Sequence, residues 1–310
     1  MPIELIVVDD CSSDGSADVI RSFSEVRYVR TRENQGVLSA MLAGARAATH
    51  DLLFFLDGDD VWERHKLRKC VSAFDANPYL GLVTHDLHYA GPDGEVLDRR
   101  TRIEAVLGKL TVADDVSEKL RHGILSLGDY VWLGSAMGIR RSAVDFSGFV
   151  QWAHGLPELR NTYQDWPLAY WIAAQPKVQL GYIDEKMFRY RLHGLNYSGD
   201  ASTPERALRN FNRTLNTNLA VAEIARMRQV PENYRRFVAE RIASNRYLID
   251  LMSGRHLQAL ASLARSVPDF LRRGLISKEL LRFAAVQLLG PERALAIASR
   301  RRFMQNLTPT

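Results

Sequence analysis

Two apolar runs in this chain end in clustered acid. Leu5-Ile6-Val7-Val8 runs into Asp9-Asp10, and Leu52-Leu53-Phe54-Phe55-Leu56 runs into Asp57-Gly58-Asp59-Asp60. Carboxylates this close repel one another and raise each other's pKa unless a cation sits among them. Hard oxygen donors suit Mg2+ or Mn2+, and Mg2+ is often held by one or two carboxylates plus substrate phosphates. The segment Asp57–Asp60 also reads as a turn with a helix N-cap, because Asp and Gly favour both. A further acid, Asp165, stands in Gln164-Asp165-Trp166 before a helical pattern with Pro167 near its start. It can take a proton or cap that helix. Burial beside Trp166 would raise its pKa, and the helix N-terminus would lower it.

The elements that must carry these acids follow from periodicity. Residues 4–8, 26–29, 51–56 and 80–89 read as strands, and 18–23, 35–48 and 61–76 as helices. This alternation predicts a mostly parallel sheet covered by helices, with the strand at 51–56 apolar enough to be buried on both faces. Acids at strand ends then lie at the carboxyl edge of the sheet, where open α/β folds bind ligands. Residues 130–139 and 178–191 are strand-like, 165–174 are helical, and 91–125 show little period. From Pro204 onward the pattern is helical, with breaks expected near Pro231, Gly254, Pro268, Gly274 and Gly290-Pro291.

Composition narrows the classes. The chain has 310 residues, 46% of them hydrophobic and 25% charged, which excludes disordered and fibrous architectures. It has no apolar run of the ~20 residues needed to span a bilayer and no secretory pattern at its start, so a cytoplasmic location is expected. Cys11 and Cys70 are too few for a disulfide scaffold and are expected to be reduced. Residues 201–310 hold 19 Lys+Arg against 8 Asp+Glu, a net of +11, while residues 1–200 carry a net of −6. That shift sets an expected boundary near residue 200. The basic segment is expected either as a solvated helical face or as a peripheral membrane contact, and oligomeric state is not encoded in any motif. Its arginines lie in apolar helical patterns without an aromatic stacking series, so nucleic acid is not expected as a partner.

The order of motifs resembles the family 2 glycosyltransferases, inverting enzymes with the GT-A fold. It comprises Val7-Val8-Asp9-Asp10-Cys11-Ser12-Ser13-Asp14-Gly15-Ser16, Asn34-Gln35-Gly36, Phe55-Leu56-Asp57-Gly58-Asp59-Asp60, Gln164-Asp165-Trp166 and Tyr190-Arg191-Leu192-His193-Gly194-Leu195-Asn196-Tyr197-Ser198. The resemblance covers residues 3–200. It implies a GT-A domain over 1–200 and a helical, Arg-rich region over 201–310. It also implies transfer of a sugar from a nucleotide-diphosphate donor, a UDP-sugar by preference, to a saccharide or lipid-linked acceptor in polysaccharide or glycoconjugate assembly. By the same resemblance Asp10, assisted by Asp9, reads the nucleotide base, and Asn34, Gly36 and Arg191 join the donor-binding set. Asp57 faces the ribose or the metal, Asp59 coordinates a Mn2+ or Mg2+ ion with Asp60 in support, and His193 completes that site or touches the diphosphate. Asp165 is the catalytic base. Gly134, Ser135, Trp132 and Trp166, with Trp152 and His154, fall on the acceptor side, although core or loop packing explains each one singly.

The sequence departs from the family's pattern in three places. Gln164 replaces the usual Glu, and Met41-Leu42 stands where many relatives carry Arg-Asn. The family's first strand and helix also precede the matched region, so the start of the natural chain is expected upstream. Without that strand its neighbours would keep unpaired ladder groups. Two other readings stay open: a nucleotide-sugar-binding module without turnover, and a metal-dependent nucleotidyltransferase, which the lack of a glycine-rich phosphate loop disfavours.

Overall fold

In the computed structural model, β1 (Leu5–Asp9) and β2 (Val26–Arg30) pair in parallel, with Leu5 opposite Val26 and Asp9 opposite Arg30. The described residues are 2–99, 101, 113–128, 134–193, 196, 203–272 and 274–307, without the side chains of 113–115 and 298–307. α1 (Ser16–Arg21) links the two strands. α2 (Val37–Ala47) turns Leu38, Met41, Leu42 and Ala45 inward at the spacing of one helix face, and it packs against β1.

A second sheet holds five strands in the order β3-β6-β5-β7-β4. They are β3 (Leu52–Phe54), β4 (Val61–Trp62), β5 (Leu80–Ala90), β6 (Gly138–Arg140) and β7 (Gln179–Arg191). The expected α/β alternation is present, but the strand directions are mixed. β6 lies between β3 and β5 and runs antiparallel to both, and β4 runs antiparallel to β7. β6 follows a short 3-10 turn, Gly134–Ala136. β3 is an edge strand among the described residues, and Leu56 just beyond it is exposed, against the expectation of burial on both faces. The helix expected from Val61 begins instead at Lys66, as α3 (Lys66–Ala76), because Val61 and Trp62 take ladder partners in Arg189 and Phe188.

Under this sheet Cys70 and Phe74 of α3 pack with Leu80, Val83 and Met187, and Phe54 meets Phe74 edge-on at 6.2 Å. Both cysteines are free thiols. α4 (Ala113–Leu125) and α5 (Phe146–His154) were not visible in the sequence pattern. α6 (Asp165–Ala173) is buried on every side from Pro167 to Ala173. Arg121 of α4 caps its far end, donating to the carbonyls of Ala173, Gln175 (3.1 Å) and Val178. Three carbonyls at and just beyond that end thereby meet a guanidinium, which fixes the helix that begins with Asp165.

The chain divides into two compact units, Met1–His88 with Arg100–Tyr190 and Tyr89–Arg99 with Arg191–Thr310. The second unit is mainly helical: α7 (Pro204–Met227), α8 (Glu232–Met252), α9 (His256–Arg272) and α10 (Ile276–Leu307). Thr203 caps α7 by accepting from the Arg206 N–H, with Pro204 in the first turn. The break expected at Pro268 does not occur, since that residue lies within α9. α10 is interrupted at Gly290, whose φ of +77° precedes Pro291. Tyr247, Leu251, Leu263 and Phe270 form the core, and the Tyr247 and Phe270 rings meet edge-on at 5.7 Å. Among the described residues no helix is long and apolar enough to cross a membrane. Phe270→Ala should cost about 3–5 kcal/mol of stability, read as a lowered midpoint in thermal or urea unfolding.

Candidate active site

The loop after β1 is held by two aspartates. Asp9 is buried, and its Oδ1 accepts from the Ser12 N–H at 2.7 Å while its Oδ2 accepts from Tyr28 Oη at 2.7 Å and the Arg30 guanidinium at 2.9 Å. The Ser12 hydrogen bonds, followed by Tyr28 and the nearby Arg30 charge, hold its carboxyl down at about 2. Asp10 reaches the other way: Oδ1 accepts from Thr31 Oγ1 and the Gln35 N–H, and Oδ2 from the Gly36 N–H at 2.7 Å. The two carboxylates thus tie β1 to β2 and to the N-terminus of α2. Gly36 has a φ of +84°, and a Cβ there would run into the Arg160 carbonyl, so only glycine fits. Asp9 is therefore held by the fold, whereas Asp10 Oδ2 takes a single donor among the described residues.

The second acidic cluster follows β3. Asp57 opens a turn in which its carbonyl accepts from the Asp60 N–H at 3.1 Å, and its own N–H donates to Ser135 Oγ at 3.0 Å. Ser135 is a brace: its carbonyl accepts from Trp62 Nε1 at 2.8 Å and from Lys66 Nζ. Lys66 is fully buried with its ammonium 3.8 Å from the Trp62 ring centroid, and burial pulls its pKa down to about 7. Gly134, with φ +56°, faces two acids at once. A Cβ added there would stand 3.6 Å from Asp57 Oδ2 and 3.7 Å from Asp165 Oδ2.

Asp57 keeps contact with solvent at the mouth of this recess, while its carboxyl is crowded by protein. Desolvation, then the charges of Asp165, Asp60 and Asp59, push it up to about 7. Gln164 opposes that shift by donating its Nε2–H to Asp57 Oδ1 at 3.0 Å. A Glu in its place would set two carboxylates face to face. Asp165 is the first residue of α6, with Gln164 in the cap position, and its Oδ1 accepts from the Trp166 N–H. Burial raises its pKa, outweighing the backbone hydrogen bond that lowers it. The opposition between burial and helix terminus is thus resolved in favour of burial.

Not every expected residue lies in this recess. Ser135 faces inward and is a brace, not an acceptor surface. Trp152 stacks on Trp171 at 5.7 Å against Phe149, which is core packing, and His154 Nε2 meets Arg46. Trp166 is half-buried beside Asp165, Asn34 is exposed in the loop before α2, and Trp132 lies outside the described residues. Arg191 and His193 belong to the second unit. There Asn196 donates to the Arg191 carbonyl at 2.7 Å and accepts from the His193 N–H. Sequence reasoning did not place Lys66, Trp62 or Gln164 in the site. The Gln in place of Glu was the one available signal.

Among the described residues no three His, Cys, Asp or Glu side chains are arranged to hold a metal ion by themselves. The donor set is nonetheless hard oxygen, and the charges of Asp165, Asp60 and Asp59 add to desolvation in raising the Asp57 carboxyl. It fits Mg2+ or Mn2+ held by Asp57 and Asp59 and completed by substrate phosphates.

Two pH-dependent outcomes follow. Asp9 has a folded pKa below the ordinary 3.8, so its stabilisation holds above that value and is lost as pH falls from 3.8 towards about 2. Asp9→Asn should cost about 1–3 kcal/mol at neutral pH and flatten the acid limb of a pH–stability profile. Lys66 has a folded pKa below the ordinary 10.5, so the wild type loses stability as pH falls from there to about 7. Lys66→Met should therefore gain thermal stability relative to wild type as pH is lowered through that range, measured by calorimetry.

Residues 1–144 match the family model described as Glycosyl transferase family 2, which takes in Asp9, Asp10, Asp57, Asp59 and Gly134 but stops before Asp165. An uncharacterized glycosyltransferase of Nostoc sp. is 29% identical over 201 residues, covering 63% of this chain and 57% of the relative. A poly-beta-1,6-N-acetyl-D-glucosamine synthase of Staphylococcus aureus is 31% identical over 84 residues, 26% of this chain and 20% of its own length. The chain thus spans little more than half of the Nostoc relative and a fifth of the synthase. A mannosyltransferase from Pyrobaculum calidifontis, solved with GDP-Man and Mn2+, covers 98% of this chain and 77% of its own at 16% identity and a TM-score of 0.49. The α/β unit and the helices after Pro204 agree with the α/β class and helical C-terminal region expected from the sequence. Over residues 1–144, a little under half of its length, the chain is thus similar to the family 2 glycosyltransferases.

Proposed function

We propose that this chain transfers a sugar, with inversion, from a nucleotide-diphosphate donor to an acceptor hydroxyl in the assembly of a cell-envelope polysaccharide or glycoconjugate. The observation that carries this reading is the pair Asp57 and Asp165 facing Gly134, with both carboxyls raised above their ordinary range. A UDP-sugar is the preferred donor. Asp10 accepts a ring N–H of the base at its Oδ2, beside the loop that holds Asn34. Asp57 and Asp59 would hold a divalent ion, which would supply charge neutralisation for the leaving diphosphate. Asp165 takes the proton of the acceptor hydroxyl as that oxygen bonds to the anomeric carbon. The bond from that carbon to the diphosphate oxygen breaks, and the nucleoside diphosphate departs with the electron pair. Burial makes Asp165 a stronger base than a free carboxylate, which suits a hydroxyl that loses its proton only as the new bond forms. Gln164 steadies Asp57 without adding a further negative charge.

Asp165→Asn should lower release of nucleoside diphosphate from a UDP-sugar at least ~100-fold while leaving nucleotide binding within a few-fold of wild type. Unchanged turnover would remove Asp165 from the role of base. Absence of turnover in the wild type, with binding intact, would favour a binding module. Pyrophosphate release from a nucleoside triphosphate would instead indicate nucleotidyl transfer.

A further inference from the structure

The helices α9 and α10 wear their polarity inside out. α9 turns Ser262, Ser266 and Asp269 into the unit, where Ser262 Oγ donates to Asp250 Oδ2, Ser266 Oγ to the Ser262 carbonyl, and Ser244 Oγ to Asp269 Oδ2 at 2.8 Å. Its outer face carries Leu257, Leu260, Ala264 and Leu271 at helical spacing, with Leu257 80% and Leu271 60% exposed. α10 repeats the arrangement. Glu279 is buried and paired with Arg282, while Leu281 and Leu288, seven residues apart and flanking Ala284, are 71% and 83% exposed. Single exposed leucines are ordinary, but a stripe on each of two successive helices is the usual mark of a covered surface.

Charge selects what covers it. Residues 256–307 contain 9 Lys+Arg and 3 Asp+Glu. Two of those acids, Asp269 and Glu279, are buried, so the exterior of these helices is basic as well as apolar. Arg265, Arg272, Lys278 and Arg293 are exposed along the same helices, and Arg300-Arg301-Arg302 follow in the sequence. A second copy of this chain would bring the same positive charge to the contact and repel it. An anionic lipid surface supplies both an apolar layer for leucines and phosphates for arginines.

We propose that the outer faces of α9 and α10 lie on the headgroup region of an anionic bilayer, with the leucines inserted and the basic side chains at phosphate level. This goes beyond sugar transfer and does not depend on it. The chain attaches parallel to the surface and does not span it, because neither helix has the length of apolar sequence that crossing requires.

The test is sedimentation of the full chain with sucrose-loaded vesicles of phosphatidylcholine alone or mixed with phosphatidylglycerol, alongside the triple variant Leu257→Asp, Leu281→Asp, Leu288→Asp. The three leucines are exposed, so far-UV circular dichroism and the unfolding midpoint should match wild type. Wild type is expected in the pellet with anionic vesicles only, with binding weakened by added salt and at least ~10-fold weaker in the variant. Three results would overturn the proposal: wild type left in the supernatant with anionic vesicles, equal binding to both vesicle types, or a folded variant that binds like wild type. A wild-type dimer in light scattering that the variant loses, with no vesicle binding, would assign the face to a second copy instead.

Discussion

Asp57 stands where three other carboxylates repel it, and much of the first unit exists to keep it there. Its N–H is tied to Ser135 Oγ, its carbonyl closes the turn to Asp60, and one carboxyl oxygen rests on Gln164. Left free, the acids would spread into solvent and lower their mutual energy. Held together, they raise the carboxyl of Asp57, a repulsion that a ligand bringing a cation would relieve. Gly134 leaves the space between Asp57 and Asp165 open, since it is the residue whose missing side chain both carboxylates face.

The support beneath that turn is itself costly. Lys66 is an ammonium buried under the site, stabilised by the Ser135 carbonyl and the face of Trp62. An apolar residue would be easier to bury, but it would take a donor from the Ser135 carbonyl and remove a buried cation whose charge interacts with Asp60. Stability is thus spent on geometry at a functional site. On the far side of Asp165 the same logic applies at lower cost, where Arg121 closes the end of α6 with three carbonyl contacts.

What the sequence disclosed was local chemistry and the order of elements. Acids at the ends of β1 and β3, the helix opening at Asp165 and the helices after Pro204 all lie near where periodicity and punctuation put them. The hidden features depended on contacts distant in sequence. Asp9 looked like a ligand-reading acid because nothing in residues 5–16 reveals that Tyr28 and Arg30 both donate to its Oδ2. Val61 and Trp62 looked helical until β7 offered them a ladder. That β6 runs antiparallel to β3 and β5 leaves no trace in hydrophobic period. The burial of Lys66 has no local signal, since burying an ammonium contradicts every local preference.

The central claim is that the recess at Asp57, Asp59 and Asp165 is a place for a nucleoside diphosphate together with a divalent ion. Titration calorimetry of UDP into the folded chain, with and without Mn2+, tests it most directly. Saturable binding that requires Mn2+ and disappears in Asp57→Asn is the predicted result. Binding that is indifferent to Mn2+, or that survives Asp57→Asn unchanged, would contradict it.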